Sequence, residues 1–204
     1  MMMATHEHFS KEYGEPVWEI ARLFPVQGEW TAEEYLALDT NHFVEFSDGY
    51  LEFLPLPTVA HQLILLFLCR TLWDFVIARH LEEVILSPLP VELWPGKFRE
   101  PDVMFVAAAK VPPSTATHLC SVDLVMEVVS PDNPAHDYQM KRTEYAQAGI
   151  PEYWIVDPQQ NLVTVFVLRG KDYQVQQVCT PGMQVASVLL AGFELSVADI
   201  FAAT

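Results

Sequence analysis

Two periods of apolar and polar positions alternate along this chain, and their order sketches a mixed architecture. Thr31-Ala-Glu-Glu34 has the form of a capping box and opens a short helix through Leu38. Phe43-Val-Glu-Phe46 and Tyr50-Leu-Glu-Phe-Leu54 are β-rich runs on either side of Ser47-Asp48-Gly49, the pattern of a hairpin around an Asp-Gly turn. Thr58 can cap the next element, a helix from Ala60 to about His80 that is apolar on most faces and must be covered by the domain or by a partner. Strands are expected at 83–87 and 90–94, a turn at Pro95-Gly96 and a further strand at 100–106. The stretch 107–121, with Pro112-Pro113 and several Ser and Thr, reads as a surface excursion.

The nearly continuous apolar run Asp123-Leu-Val-Met-Glu-Val-Val129 predicts a strand covered on both faces. Asn133-Pro134 starts a helix that should end at Gly149. Strands follow at 151–157, 162–168, 173–179 and 184–190, and Ser196 opens a last short helix. The sum is an α/β (α+β, mixed-sheet) fold with a central sheet, flanking helices and terminal hairpins. Residues 1–28 show no period and are read as an irregular N-terminal arm, with 29–204 forming one domain.

Composition adjusts this picture in three places. With 51% apolar residues the chain can bury a full core. The longest apolar run, Leu63 to Cys69, is followed by Arg70 and Asp74, so no segment is expected to span a membrane. Cys69, Cys120 and Cys179 are odd in number and far apart, which fits reduced core thiols rather than a disulfide framework or a zinc site. With no signal-peptide pattern at the start, the expected location is cytoplasmic. A formal charge of −16, from 27 acids against 11 Lys and Arg, opposes nucleic-acid binding unless basic residues cluster or metal ions offset the field.

Two acids interrupt apolar strands. Asp102 begins the run after Glu100-Pro101, and Glu127 sits between aliphatic residues. An ionised carboxylate there costs several kcal/mol unless it is paired or binds a metal. Glu127 is therefore salt-bridged, exposed at an edge, or a metal ligand. Asp137, Lys141 and Tyr145 recur every four residues with Glu144 beside them, either an ordinary solvated stripe or a set of groups delivered to Glu127.

Taken in order, Pro101-Asp102, Glu127-Val-Val-Ser130-Pro, and Asp137-x-x-x-Lys141-Arg-x-x-Tyr145-Ala-x-Ala-Gly149-Ile-x-Glu152-Tyr-Trp-x-Val-Asp157 resemble the Uma-two family of restriction endonucleases, within the PD-(D/E)XK superfamily. Glu45 before Asp48-Gly49, Glu52, and His61-Gln62 at the head of the long helix match as well. The resemblance implies a restriction-endonuclease-like fold and a Mg²⁺- or Mn²⁺-dependent endonuclease acting on DNA. It implies Asp102, Glu127 and the Val128 carbonyl as metal ligands, Lys141 as the amine that orients water, and Glu45 as an additional catalytic acid. The lysine of the superfamily's E-x-K falls at Val129, so Lys141, on the following helix, takes its place. His61, Asp137 and Tyr145 are accessory candidates: His61 toward phosphate or metal, Tyr145 packing or bonding Asp137. A basic flank beside the site, from Lys97, Arg99, Arg142 and Arg169, would separate DNA from smaller substrates, and a homodimer is expected from the apolar helix and the sheet edges. Two other readings stay open: a catalytically silent nuclease-like module for binding or assembly, and a metal-dependent hydrolase of another phosphate ester.

Overall fold

The computed structural model describes residues 24–39, 43–81, 83–131 and 133–203. A short helix α1 (Ala32–Leu36) starts at the predicted capping box, where Thr31 and Glu34 satisfy each other's backbone amides. Strands β1 (Val44–Ser47) and β2 (Tyr50–Phe53) form the predicted hairpin, with Asp48 and Gly49 at φ 48 and 89°. The 20-residue helix α2 (Val59–Ala78) is capped by the Thr58 side chain. Strands β3 (Glu83–Leu86), β4 (Val91–Trp94), β5 (Lys97–Arg99), β6 (Val103–Val106) and β7 (Leu124–Val128) come next. A π-helical turn, His136–Lys141, leads into α3 (Arg142–Ala148), which ends at left-handed Gly149. The chain closes with β8 (Glu152–Asp157), β9 (Leu162–Arg169), β10 (Asp172–Cys179), β11 (Gln184–Ala186), β12 (Glu194–Ser196) and α4 (Val197–Ala202).

These strands build a six-stranded sheet in the order β10-β9-β8-β7-β6-β3 and a four-stranded sheet in the order β2-β1-β5-β4. The six-stranded sheet is mixed, because β7 and β8 run parallel while its other neighbours are antiparallel. Its two faces carry separate cores. Leu124, Met126 and Val128 pack with Ile64, Leu68 and Leu72 of α2, whereas Val125 and Val129 pack with Tyr145 and Ala146 of α3. Strand alternation therefore turns Glu127 to the α3 side, between Val125 and Val129.

Three expectations need correction. The strand predicted over 100–106 begins only at Val103, as β6, which pairs with β3 and β7; β5, just before it, was missed and pairs with β1 and β4 in the other sheet, and Glu100-Pro101-Asp102 carries the chain across. Proline, lacking an amide proton, suits that crossing. The strand predicted at 184–190 stops at Ala186 and pairs with β12, which the sequence reading missed. Helix α2 is also long and apolar enough to cross a membrane by length and composition, contrary to the run-length argument. Its Ile64, Leu68, Leu72 and Val76 are nevertheless fully buried on the sheet. Of the predicted arm, residues 1–23 lie outside the described residues, while Gln27 exchanges two hydrogen bonds with the Leu51 backbone.

Candidate active site

The crossing from one sheet to the other makes the site. Val103 lies opposite Met126 in the β6–β7 ladder, so Asp102, one residue earlier, falls level with Glu127. Asp102 Oδ2 accepts the Val128 amide at 2.8 Å and faces His61 Nε2, at the start of α2, at 3.2 Å. Burial pulls the His61 imidazole down, but the hydrogen bond and charge of Asp102 raise it above its ordinary value overall, with a further contribution from the Val128 backbone. His61 Nδ1 is buried and has no hydrogen-bond partner among the described residues.

Glu127 is met from the other side by the helix. Lys141 Nζ donates to Glu127 Oε1 at 2.9 Å and the Tyr145 hydroxyl donates to the same oxygen at 2.6 Å. Tyr145 was expected to pack or to bond Asp137, but the Asp137 contact is made elsewhere: Tyr153 donates to the Asp137 carbonyl at 3.0 Å. Asp137 and Lys141, four residues apart on the π-helical turn, point inward together. The solvated-stripe reading therefore fails for Asp137, Lys141 and Tyr145, all of which are buried.

Lys141 sits among acids. Its ammonium lies 3.4 Å from Glu45 Oε1 and 3.7 Å from Asp137 Oδ1 in addition to Glu127. Burial opposes its charge, but Glu127, Glu45, Asp137 and Asp102 together hold it well above the ordinary lysine value. Burial pushes Glu127 up to about 8 against the pull of Lys141, with Asp102 and Asp137 adding to the rise. Burial raises Asp137 as well.

Behind this row stands a second network from the four-stranded sheet. Arg99 is fully buried and binds Glu45 at 3.0 Å, Glu52 at 2.8 Å and Glu144 at 2.7 Å. Lys97 pairs with Glu144 at 2.7 Å. Both cations were candidates for a DNA-facing flank, yet acids on β1, β2 and α3 consume their charge inside the protein. Arg142 and Arg169 are exposed, but neither lines the cleft described next. Residue-by-residue reading missed His136, whose Nε2 lies 3.5 Å from Glu45 Oε2, and Glu100, whose Oε2 is buried with no hydrogen bond among the described residues. Burial and the charge of Glu45 raise the Glu100 carboxyl to about 8. The Glu100-Pro-Asp sequence was the available signal for Glu100; His136 had none, because its inward turn depends on the π-helical register.

Asp102, Glu127, Val128, Lys141, Asp137 and His61 line one cleft of about 190 Å³, walled on its outer side by Phe43, Phe53, Leu54 and Pro57. Glu45 and Tyr145 do not line it; they support Lys141 and Glu127 from behind. Asp102 Oδ1 and Glu127 Oε2 hold no hydrogen bond to any described residue. Two open carboxylate oxygens, in a cleft whose acids outnumber its one lysine, are a donor set that suits a hard divalent cation.

Fold and cleft together define a mixed α/β protein with an acid-rich cleft at the meeting of its two sheets. The chain is similar in structure to "a putative nuclease belonging to DUF820" from Anabaena variabilis ATCC 29413, with a TM-score of 0.73 over 85% of this chain and 98% of that one. At 20% sequence identity this likeness speaks for the fold. The model of the Uma2 family, described as "Putative restriction endonuclease", matches residues 32–198, and the chain belongs to that family. Comparison with curated proteins returns no match.

Proposed function

We propose that this protein is a metal-dependent endonuclease that hydrolyses DNA phosphodiester bonds with Mg²⁺ or Mn²⁺. The observation that carries the reading is the convergence of Asp102, Glu127 and Lys141, from three separate elements, on one cleft. Asp102, Glu127 and the Val128 carbonyl are the proposed metal ligands. A bound divalent ion supplies positive charge against phosphate oxygens and makes water more acidic. The chain's own groups do the rest. Lys141 is held protonated, so it acts as a donor that orients the attacking water and opposes the charge gathering on phosphorus. Glu45, behind it, is a positioning residue that keeps the ammonium turned to Glu127. Tyr145, kept protonated by burial, and His61 fix the two liganding acids by hydrogen bonds at the oxygens they leave unused.

A second reading has its own support. Lys97 and Arg99 are buried, so a polyanion approaching the cleft meets an acidic surround, as a silent binding or assembly module or a hydrolase of smaller phosphate esters would present. We further propose a homodimer across the exposed stripe Val59, Leu63, Leu66, Trp73 and Ile77 of α2.

Plasmid cleavage in Mg²⁺ or Mn²⁺ separates these readings. Wild type should nick or linearise the plasmid, Asp102→Asn should lose about 100-fold or more, and Lys141→Met a similar amount, the scale seen when one preorganised electrostatic group is removed. Equal cutting by Asp102→Asn removes the catalytic claim. Failure of wild type on plasmid with turnover of a small phosphodiester favours the smaller substrate.

A further inference from the structure

Away from the cleft, β4 and a segment lying along it gather side chains that the nuclease reading leaves unused. Glu92 stands on β4. His118 and Cys120 flank Leu119, which is bridged in parallel to Val91. The Glu92 amide donates to the Leu119 carbonyl and the Leu119 amide to the Pro90 carbonyl, both at 2.8 Å. Val91 and Leu119 bury their side chains, so Glu92, His118 and Cys120 emerge together on the opposite side of this two-strand ribbon.

A carboxylate oxygen, an imidazole nitrogen and a thiol sulfur from these three residues lie within 4.8 Å of one another. Glu92 Oε2 and His118 Nε2 are 3.8 Å apart. No other hydrogen bond or ion pair among the described residues engages the Glu92 carboxylate or the Cys120 thiol. Glu92 and Cys120 also border a small cavity of about 110 Å³, and His118 is held edge-on against Phe98 at 5.6 Å.

We propose that Glu92, His118 and Cys120 bind a thiophilic divalent transition-metal ion, Zn²⁺ above all. Oxygen, nitrogen and sulfur donors are the set zinc takes, and ligands of one tetrahedral zinc lie about 3.3–3.8 Å apart. Exposed Cys120 and half-exposed Glu92 need side-chain movements of about 1 Å to reach that spacing. The Thr117 hydroxyl, 3.4 Å from His118 Nδ1, can accept a hydrogen bond from the Nδ1–H and leave Nε2 to the metal. The fourth position opens to solvent and takes water. Mg²⁺ prefers oxygen ligands, so this centre is chemically distinct from the acid cleft. A cation here staples the 107–121 excursion to β4.

The test is titration of the metal-free full-length protein with Co²⁺, whose thiolate charge-transfer absorption reports sulfur ligation. One equivalent should bind with that band. Cys120→Ser should abolish it, His118→Gln should weaken binding about 10-fold or more, and Asp102→Asn should leave it unchanged. Zn²⁺ should displace the cobalt, whereas Mg²⁺ should not. In wild type, Zn²⁺ should protect Cys120 from alkylation, read by peptide mass mapping, and raise Tm by about 5 °C at a 100-fold excess over Kd. A missing band, a band that survives Cys120→Ser, or Cys120 alkylation that is indifferent to Zn²⁺ overturns the proposal.

Discussion

Lys141 is buried with four acids around it, and each of its neighbours has a share in keeping it charged. Tyr145 contributes indirectly, by holding Glu127 Oε1 at 2.6 Å where the lysine can meet it. Tyr145→Phe removes a buried hydrogen bond to Glu127, which is expected to lower stability by about 1.5 kcal/mol. Equilibrium denaturation measures this, and an unchanged midpoint would mean the phenol is idle. Glu52 gives a pH signature. The His136 imidazole, 3.8 Å away, comes first, and with Arg99 it outweighs burial to hold this carboxyl down to about 2, against an ordinary value of 4.5. A depressed folded-state value contributes stability that is complete above about 4.5 and disappears as pH falls toward 2. Glu52→Gln should therefore flatten the loss of stability across that acid window, while leaving the slope near neutrality alone. An acid-unfolding series on both proteins checks it.

At the scale of elements, turn and cap chemistry was the most legible part of the chain. The capping box at Thr31, the Asp48-Gly49 hairpin, the Thr58 cap and the Gly149 stop all stand where their residues placed them. Gly49 has a second reason to be glycine: a Cβ there would sit 2.6 Å from the Gly28 carbonyl oxygen. Gly49→Ala should cost about 1–3 kcal/mol through that contact and its left-handed backbone, and thermal unfolding will show whether it does. Apolar runs located β7 and β8 well, because both are covered on each face. They failed around Pro101, where β5 went unseen and Glu100–Asp102 was read as strand, because only long-range pairing decides which residues join which sheet. The acids of the cleft stood out because carboxylates are costly in apolar strands. The buried cations did not, since Lys97 and Arg99 look identical in sequence whether they face DNA or Glu144. The same blindness hid Cys120: its companions Glu92 and His118 are neighbours through a strand bridge, and no cysteine spacing announces them.

On the scale of the whole molecule, 27 acids and 11 Lys and Arg leave an acidic exterior, and part of the basic complement is spent inside on tying the four-stranded sheet to α3. The proposed dimer would cover the apolar stripe of α2. Light scattering should give twice the 23.2 kDa chain mass for wild type and a monomer for Leu66→Glu with Ile77→Glu; a monomeric wild type ends that idea. Finally, the passage from β5 to β6 is only Glu100, Pro101 and Asp102 long. Such a short tether transmits displacement without slack. If the smaller sheet shifts on its Tyr35, Phe46 and Phe98 packing, Glu45 and Asp102 are dragged in the same stroke. Softening that remote aromatic cluster should therefore blunt turnover at temperatures where the chain is still fully folded.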